Sequence, residues 1–577
     1  MDRAATQDQV HFRRRLNGPV LLMSLLLGVV AFLVLVPLFL MVLNSFQIST
    51  PTEDIVYGLQ GWKVAFSSPG ILGAVYNTFT LALARQFIAL VIGIVLAWLL
   101  ARTDIPMSGS LEFMFWLSFF LPALPVTLGW ILLLDPEFGL LNAWLLELPF
   151  ISEPPFNIYS FWGIVWVHLA ASTIGVKVLL LTPAFRNMDA SLEESSRVSG
   201  AGAVGTLLRI ITPVMMPAIL VATILGLVRS LEAFEIELLL GVPIGLHVFS
   251  TKIHDLVIAE PAEYPPAMAL SSTFLVILLM LVSIQRFVVR RKEYTTVSGR
   301  GFSARLTPLG RWRTPIFVAV LLLALTITAF PTVFLALGTF MKLFGFFNIA
   351  DPWTLENWRQ VLHDPIIFHS LGNTLLVGLG SGIAGVFLYS LIAYVIVKSG
   401  FAYRGVLDFL SWIPWSIPGI LLGMALLWTF LGTKIFIPAY GTIYILIVAM
   451  VIKTMPVGTQ VIKSIMMQLG RELEEASIVS GASWFSTYFR ILIPLLFPAL
   501  LTVGLLIFIS AARDISTVVL LATARTRTLS LLMLEFATEG QFEKATVVGV
   551  IIVIFVVAAA LIARALGGRM GVRAESR

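Results

Sequence analysis

Twelve times along its 577 residues the chain runs apolar for about twenty residues or more, and such a chain takes lipid as its solvent. The first run, from about Pro19 to Leu43, is too long for the core of a cleaved signal peptide. It is long enough to cross about 30 Å of hydrocarbon, so it reads as a retained helix. Further spans follow at about 74–101, 111–134, 158–185, 207–231 and 266–289. After a polar break come spans near 315–341, 370–397, 406–431, 440–462, 491–511 and 545–566. The expected fold is an all-α polytopic membrane protein of about twelve transmembrane helices, a tandem duplication of six. Composition agrees, since 58% of residues are hydrophobic and 12% charged, more apolar surface than a soluble domain buries.

The charges that remain sort by side. The break at 290–313 holds Arg290, Arg291, Lys292, Arg300, Arg305, Arg311 and Arg313 against Glu293 alone. An even number of spans per half puts that break on the same side as Arg13–Arg15 and as Arg564, Arg569, Arg573 and Arg577. The connection 135–157, on the other side, carries Asp135, Glu137, Glu147 and Glu153 with no Lys or Arg. By the positive-inside rule both termini and the linker are expected on the cytoplasmic side of the membrane. The expected division is a basic arm 1–18, a first transmembrane domain 19–289, a linker 290–313, a second transmembrane domain 314–566 and a tail 567–577. The net charge of +6 is spread between spans rather than gathered on one face, which excludes nucleic acid as a partner. Absence of cysteine excludes thiolate metal sites, catalytic thiols and disulfides.

A polar segment occurs twice. Residues 192–201 read Leu-Glu-Glu-Ser-Ser-Arg-Val-Ser-Gly-Ala, and residues 473–482 read Leu-Glu-Glu-Ala-Ser-Ile-Val-Ser-Gly-Ala. The same displacement pairs Arg209 with Arg490, Pro213 with Pro494 and Pro217 with Pro498. Apolar spans drift freely among Leu, Ile, Val and Phe. A charged loop with fixed Glu, Gly and Pro positions is under a different constraint: each copy has to fit the same external surface. The halves echo elsewhere, in Asn77-Thr78 and Asn373-Thr374, and in Pro122 and Pro125 against Pro414 and Pro418. Prolines inside spans free backbone carbonyls that only protein or a wet cavity can satisfy. Ser191 and Glu194 are spaced as a capping box, and Gly200 is placed to end the short helix they open.

These loops resemble the cytoplasmic loop of the permeases of bacterial binding-protein-dependent ABC importers, which runs Glu-Ala-Ala, three residues, Gly, nine residues, Ile-x-Leu-Pro. The second copy matches as Glu475-Ala476-Ser477, Gly481 and Ile491-Leu492-Ile493-Pro494, the first as Glu194-Ser195-Ser196, Gly200 and Ile210-Ile211-Thr212-Pro213. Serines for alanines, and Thr212 and Ile493 for leucine, are the departures. The resemblance covers the whole chain and is to two fused permease halves, as in the permeases for ferric iron, thiamine and 2-aminoethylphosphonate. It implies a type I ABC importer fold and a short helix along the membrane surface that docks in a groove of a separate, homodimeric ABC ATPase. ATP and Mg would be bound by that partner, and an extracytoplasmic substrate-binding protein would deliver the solute. The ATPase-coupling residues would be Glu193, Glu194, Ser195, Ser196, Gly200, Arg209 and Pro213, with Glu474, Glu475, Ala476, Ser477, Gly481, Arg490 and Pro494. The four glutamates would offer charge to the partner, while Arg209 and Arg490 would hold the return to the membrane.

Other features read differently. Gly380-Ser381-Gly382-Ile383-Ala384-Gly385 fits a dinucleotide fingerprint but lies inside a span, where Gly378 and Gly382 make a small-xxx-small packing face. The chain has no G-x-x-x-x-G-K-[ST] sequence, so no P-loop of its own and no cofactor assigned to it. Carboxylates end the fifth span of each half: Glu232, Glu235 and Glu237, and Arg513 with Asp514. A charge at bilayer centre costs roughly 2.5–3.5 kcal/mol, so these line a pathway or meet the binding protein, unless they are surface groups. Hard oxygen ligands would suit transient ferric iron, though no resident metal site is assigned. Arg85, Lys177 and Lys453 read as snorkelling or helix-pairing groups before pathway ones. Ferric iron is the favoured solute, with 2-aminoethylphosphonate, thiamine and polyamine behind it. A secondary transporter driven by an ion gradient would also suit twelve spans, but gives no reason for two Glu…Gly…Pro loops.

Overall fold

The computed structural model describes residues 2–48, 56–290 and 306–569. Most of the basic linker, 291–305, and the tail beyond Arg569, with Arg573 and Arg577, lie outside the described residues. In chain order the helices used below are α1 (Asp2–Asn44), α2 (Ile71–Arg102), α3 (Ser108–Phe120), α4 (Ala123–Leu134), α5 (Phe161–Arg186), α6 (Ala190–Val198), α7 (Leu207–Val214), α8 (Met216–Leu231), α9 (Phe249–Ile258) and α10 (Tyr264–Arg290). The second half follows with α11 (Arg313–Gly338), α12 (Pro365–Val397), α13 (Arg404–Ser416), α14 (Gly419–Gly432), α15 (Ile443–Met466), α16 (Glu472–Val479), α17 (Trp484–Ala512), α18 (Leu529–Thr538) and α19 (Phe542–Arg569). Among the described residues nine helices are long and apolar enough to cross a membrane, and twelve spans result if each of three bent pairs counts as one. Every span expected from the sequence has its helix or bent pair.

The bends fall where proline takes away a backbone donor. α3 and α4 meet at 103° around Pro122, and α13 and α14 at 109° around Pro418. Both prolines sit in extended backbone, at φ −66°, ψ 142° and φ −52°, ψ 146°, and each caps the helix that follows. Proline locks φ, lacks an N–H, and drives its predecessor out of the helical region, so a helix reaching it stops. The continuous spans expected at 111–134 and 406–431 are therefore broken. The third bend has no counterpart in the other repeat: α7 and α8 meet at 72° at Met215, whereas α17 passes through Pro498 as one helix.

Packing divides the chain into two units that interleave along the sequence. One comprises Lys63–Ser370 with Leu529–Ala558; the other comprises the described parts of Met1–Trp62, Leu371–Thr528 and Ala559–Arg573. Thus α1, the first span of the chain, packs on α13 and α14, and α11 packs on α3 and α4. The break at 290–313 and the packing units are different partitions of the same chain. Nothing in an apolar helix announces which bundle it joins, because lipid solvates all of them alike; contact shape decides.

Small residues set those contacts. In the first unit α4 crosses α11 so closely that a Cβ on Gly129 would lie 2.1 Å from the Pro331 carbonyl oxygen, and one on Gly93 of α2 would lie 2.3 Å from the Lys177 side chain. In the second unit α12 lies on α17 with Gly382 against the Gly504 backbone and Gly378 against Phe508. The Gly380–Gly385 stretch is thus a helix-packing face inside a span. Overpacking a tight core costs about 1–3 kcal/mol. Gly129→Leu is accordingly expected to lower the thermal unfolding midpoint in detergent, while Gly73→Ala, with nothing within 4 Å of its added carbon, leaves it unchanged or raises it slightly.

Candidate functional site

The two short polar helices, α6 and α16, end in the same way. Gly200 and Gly481 stand at φ +83° and +79°, the left-handed region that glycine enters without strain. Beyond them Ala201 N–H donates to the Ser196 carbonyl at 3.1 Å and Ala482 N–H to that of Ser477 at 3.0 Å, which closes the last turn over its orphan carbonyls. The starts differ. α6 is capped by Asp189, whose carboxylate accepts from Ser191 N–H at 2.9 Å, so Ser191 lies inside the helix and is not the cap its spacing with Glu194 predicts. That hydrogen bond holds the Asp189 carboxyl below the ordinary carboxylate range. The cap's contribution is in full force at neutral pH and is lost as pH falls through the lowered value. α16 has no side-chain cap at Arg471; Lys398 reaches over instead to the carbonyls of Leu469 at 2.7 Å and Gly470 at 3.3 Å.

Each short helix is clamped on both flanks by its own half. Arg102, the last residue of α2, pairs with Glu193 at 3.0 Å, and Lys398, just past α12, pairs with Glu474 at 3.2 Å. Arg102 also donates to the Met188 carbonyl at 3.3 Å. On the other flank the Ser196 and Thr206 hydroxyls bond at 2.8 Å, as do those of Ser477 and Thr487. A π-turn follows in both copies, at Leu207–Ile211 and Tyr488–Leu492. Next door a further pair repeats, Arg186 with Glu112 at 2.7 Å and Lys463 with Asp408 at 2.8 Å.

This placement sorts the residues chosen from the sequence. Glu193 is buried and Glu474 nearly so, each spent on a cation of its own chain, so neither offers charge outward. Ser196 and Ser477 face inward as well. Glu194, Ser195, Glu475 and Ala476 are exposed. Beside them stand apolar side chains in the open: Val198 and Val479 at 90% and 88% exposure, with Leu192, Leu473 and Ile478. Arg209 and Arg490 are exposed on the π-turns and make no ion pair among the described residues; the serine–threonine bonds hold the return that sequence reasoning gave to them. Pro213 and Pro494 lie in the first turn after each π-turn. Arg102, Lys398, Thr206 and Thr487 were not legible as site residues. A second displacement, 77 to 373, aligns Arg102 with Lys398, while the first, 192 to 473, aligns Thr206 with Thr487.

The carboxylates beyond the fifth spans are paired rather than open. Glu237 is fully buried, 2.7 Å from His168 of α5 and 3.5 Å from Arg85 of α2. Arg85 also donates to the Ser230 carbonyl. In the other repeat Lys453 of α15 pairs with Asp514 and bonds Thr517 at 3.0 Å. Glu232 pairs with Arg229 at 3.1 Å at the end of α8, Glu235 is half-buried, and Arg513 is half-buried at the end of α17. Lys177 is buried and donates to the Ala222 carbonyl. Arg85 and Lys453 are therefore helix-pairing groups. Among the described residues no three His, Asp or Glu side chains are arranged to hold a metal ion.

Two six-span repeats, each presenting a short helix anchored from within, make a multi-pass, all-helical membrane protein. Residues 382–572 match the family model described as binding-protein-dependent transport system inner membrane component. The chain is 27% identical over 407 residues to the ferric transport system permease protein FbpB of Actinobacillus pleuropneumoniae, covering 70% of this chain and 58% of that protein. It is 21% identical over 411 residues to the Fe(3+)-transport system permease protein FbpB 2 of Haemophilus influenzae, covering 69% and 75%. A shorter match, 25% over 210 residues, covers 34% of this chain and 73% of the sulfate transport system permease protein CysT of a Synechocystis species. The chain is thus similar, over residues 382–572 and to these relatives, to permeases of binding-protein-dependent transport systems, and it spans 58% of the length of the first of them.

Breaking a buried ion pair by removing one partner costs about 3–5 kcal/mol, while an apolar pair of similar volume is tolerated. Lys453→Met is expected to lower the unfolding midpoint of the purified permease sharply, and Lys453→Met with Asp514→Leu to recover most of the loss, both read by thermal unfolding in detergent.

Proposed function

We propose that this chain is the membrane-spanning subunit of an ATP-driven type I importer, carrying both transmembrane domains of the permease. An extracytoplasmic binding protein delivers a small solute to one face. Two copies of an ABC ATPase, which hold ATP and Mg, dock on α6 and α16 at the cytoplasmic face, where both termini and the linker 290–313 also lie. The carrying observation is the duplicated helix whose repeated side chains split in two, Glu193 and Glu474 turned inward for anchoring, Glu194, Glu475, Val198 and Val479 turned outward. An exposed valine at the same place in both copies costs hydration unless something covers it.

Ferric iron is the solute this reading favours, supported by the likeness to the two ferric permeases. Neither Glu237 nor Asp514, the buried carboxylates beyond the fifth spans, argues for it independently, because each is occupied by a cation. The likeness to the sulfate permease favours sulfate as the second reading.

Val198→Asp together with Val479→Asp is expected to release the ATPase from the permease during co-purification, with the membrane fold kept. Retention of the ATPase at the normal ratio contradicts the docking assignment. Cells deleted for the chain are expected to lose uptake of radiolabelled ferric iron under iron starvation and to regain it on restoration; loss of sulfate uptake with iron uptake intact selects the second reading.

A further inference from the structure

We infer that the Arg102–Glu193 and Lys398–Glu474 ion pairs are struts that carry the motion of the docked ATPase into α2 and α12; this rests on the docking role proposed for α6 and α16. A helix of eight or nine residues does not hold its shape or its direction in water by itself. Whatever pushes on α6 or α16 moves the membrane domain only as far as the short helix is tied to it.

The ties are the same in both repeats, although different stretches of sequence supply them. The anchoring cations are related by the displacement that takes 77 to 373, the glutamates by the one that takes 192 to 473. Two segments with different spacing thus converge on one contact twice. The match extends past the ion pair: Arg102 also holds the Met188 carbonyl and Lys398 that of Leu469, the equivalent residue before each short helix. The second carboxylate oxygen is held too, by the Thr307 hydroxyl at 3.4 Å in one repeat and by the Tyr394 hydroxyl at 3.4 Å in the other. Arg102 and Lys398 are each only 3% exposed, so water does not soften the attraction. With the serine–threonine bond on the far flank, each short helix is tied to the second span of its repeat and to the turn that opens the span after it.

Thr307 brings a difference between the copies. Its N–H donates to the Arg102 carbonyl at 2.8 Å, its own carbonyl accepts from Asp104 N–H at 3.2 Å, and Leu309 N–H donates to the Asp104 carboxylate at 2.8 Å. The end of the linker is stitched to the first strut, whereas the second strut is completed from within α12.

The test uses the permease with its ATPase and binding protein in proteoliposomes, comparing wild type, Glu193→Gln, Glu474→Gln and the double variant. Three quantities are read: ATPase retained, ATP hydrolysed, and solute taken up per ATP. The expected result is that the double variant keeps its ATPase while uptake per ATP falls at least tenfold, with Lys398→Arg within threefold of wild type. Wild-type uptake per ATP in the double variant overturns the proposal. So does loss of the ATPase from the glutamine variants alone, which would make the pairs part of the docking surface. If wild type itself retains no ATPase, the docking role fails and the struts with it. Should the double variant not assemble, Glu193→Asp with Glu474→Asp keeps the charge and shortens the reach; there a drop in uptake per ATP at normal ATPase content supports the struts, and no drop overturns them.

Discussion

In hydrocarbon a backbone carbonyl has no water to turn to, and the rest of this structure follows from that. Each span has to be a helix, and each break in a helix has to be covered by protein. Pro122 and Pro418 make such breaks at equivalent places, and the tight crossing of Gly129 on Pro331 shows how closely a neighbouring span comes in beside the first of them. The same scarcity of water governs the charges. Among the described residues three buried carboxylates are met by a cation from another segment, Glu193 by Arg102, Glu237 by Arg85 and Asp514 by Lys453, while Asp135 accepts from the N–H groups of Glu137 and Phe138.

Those pairs join elements far apart in sequence, so they do more than neutralise charge. Glu237 ties the segment after α8 to α2 and α5, and Asp514 ties the end of α17 to α15. At the polar ends, Glu193 and Glu474 tie the short helices to the second span of each repeat. The transport proposed above needs some parts to move as blocks, and paired charges of this kind join the helices that would move together. The two repeats are not copies in detail. α7 and α8 are kinked where α17 is straight, and a His–Arg–Glu group in one stands where the other has a single Lys–Asp pair.

Much of this was legible in the sequence. Twelve apolar runs, the break at 290–313 and the two matched loops were plain, because lipid solvation and duplication both leave long, regular marks. Gly200 and Gly481 could be read as helix ends, since few other residues take positive φ. What sequence left hidden is spatial. Glu193 looks like a surface carboxylate until Arg102 arrives from 91 residues away. Leu-rich α1 and α11 carry nothing that says each will pack beside the other repeat's helices. Pro122 and Pro418 announced a disturbance, but the angle depends on the neighbours that receive the broken ends.

The most direct measurement is solute uptake by proteoliposomes holding the permease, its ATPase and its binding protein, with ATP either present or replaced by an imposed ion gradient. The account predicts uptake that needs ATP on the side of α6 and α16, needs the ATPase, and ignores the gradient. Uptake driven by the gradient with the ATPase left out would contradict it and make the chain a secondary transporter.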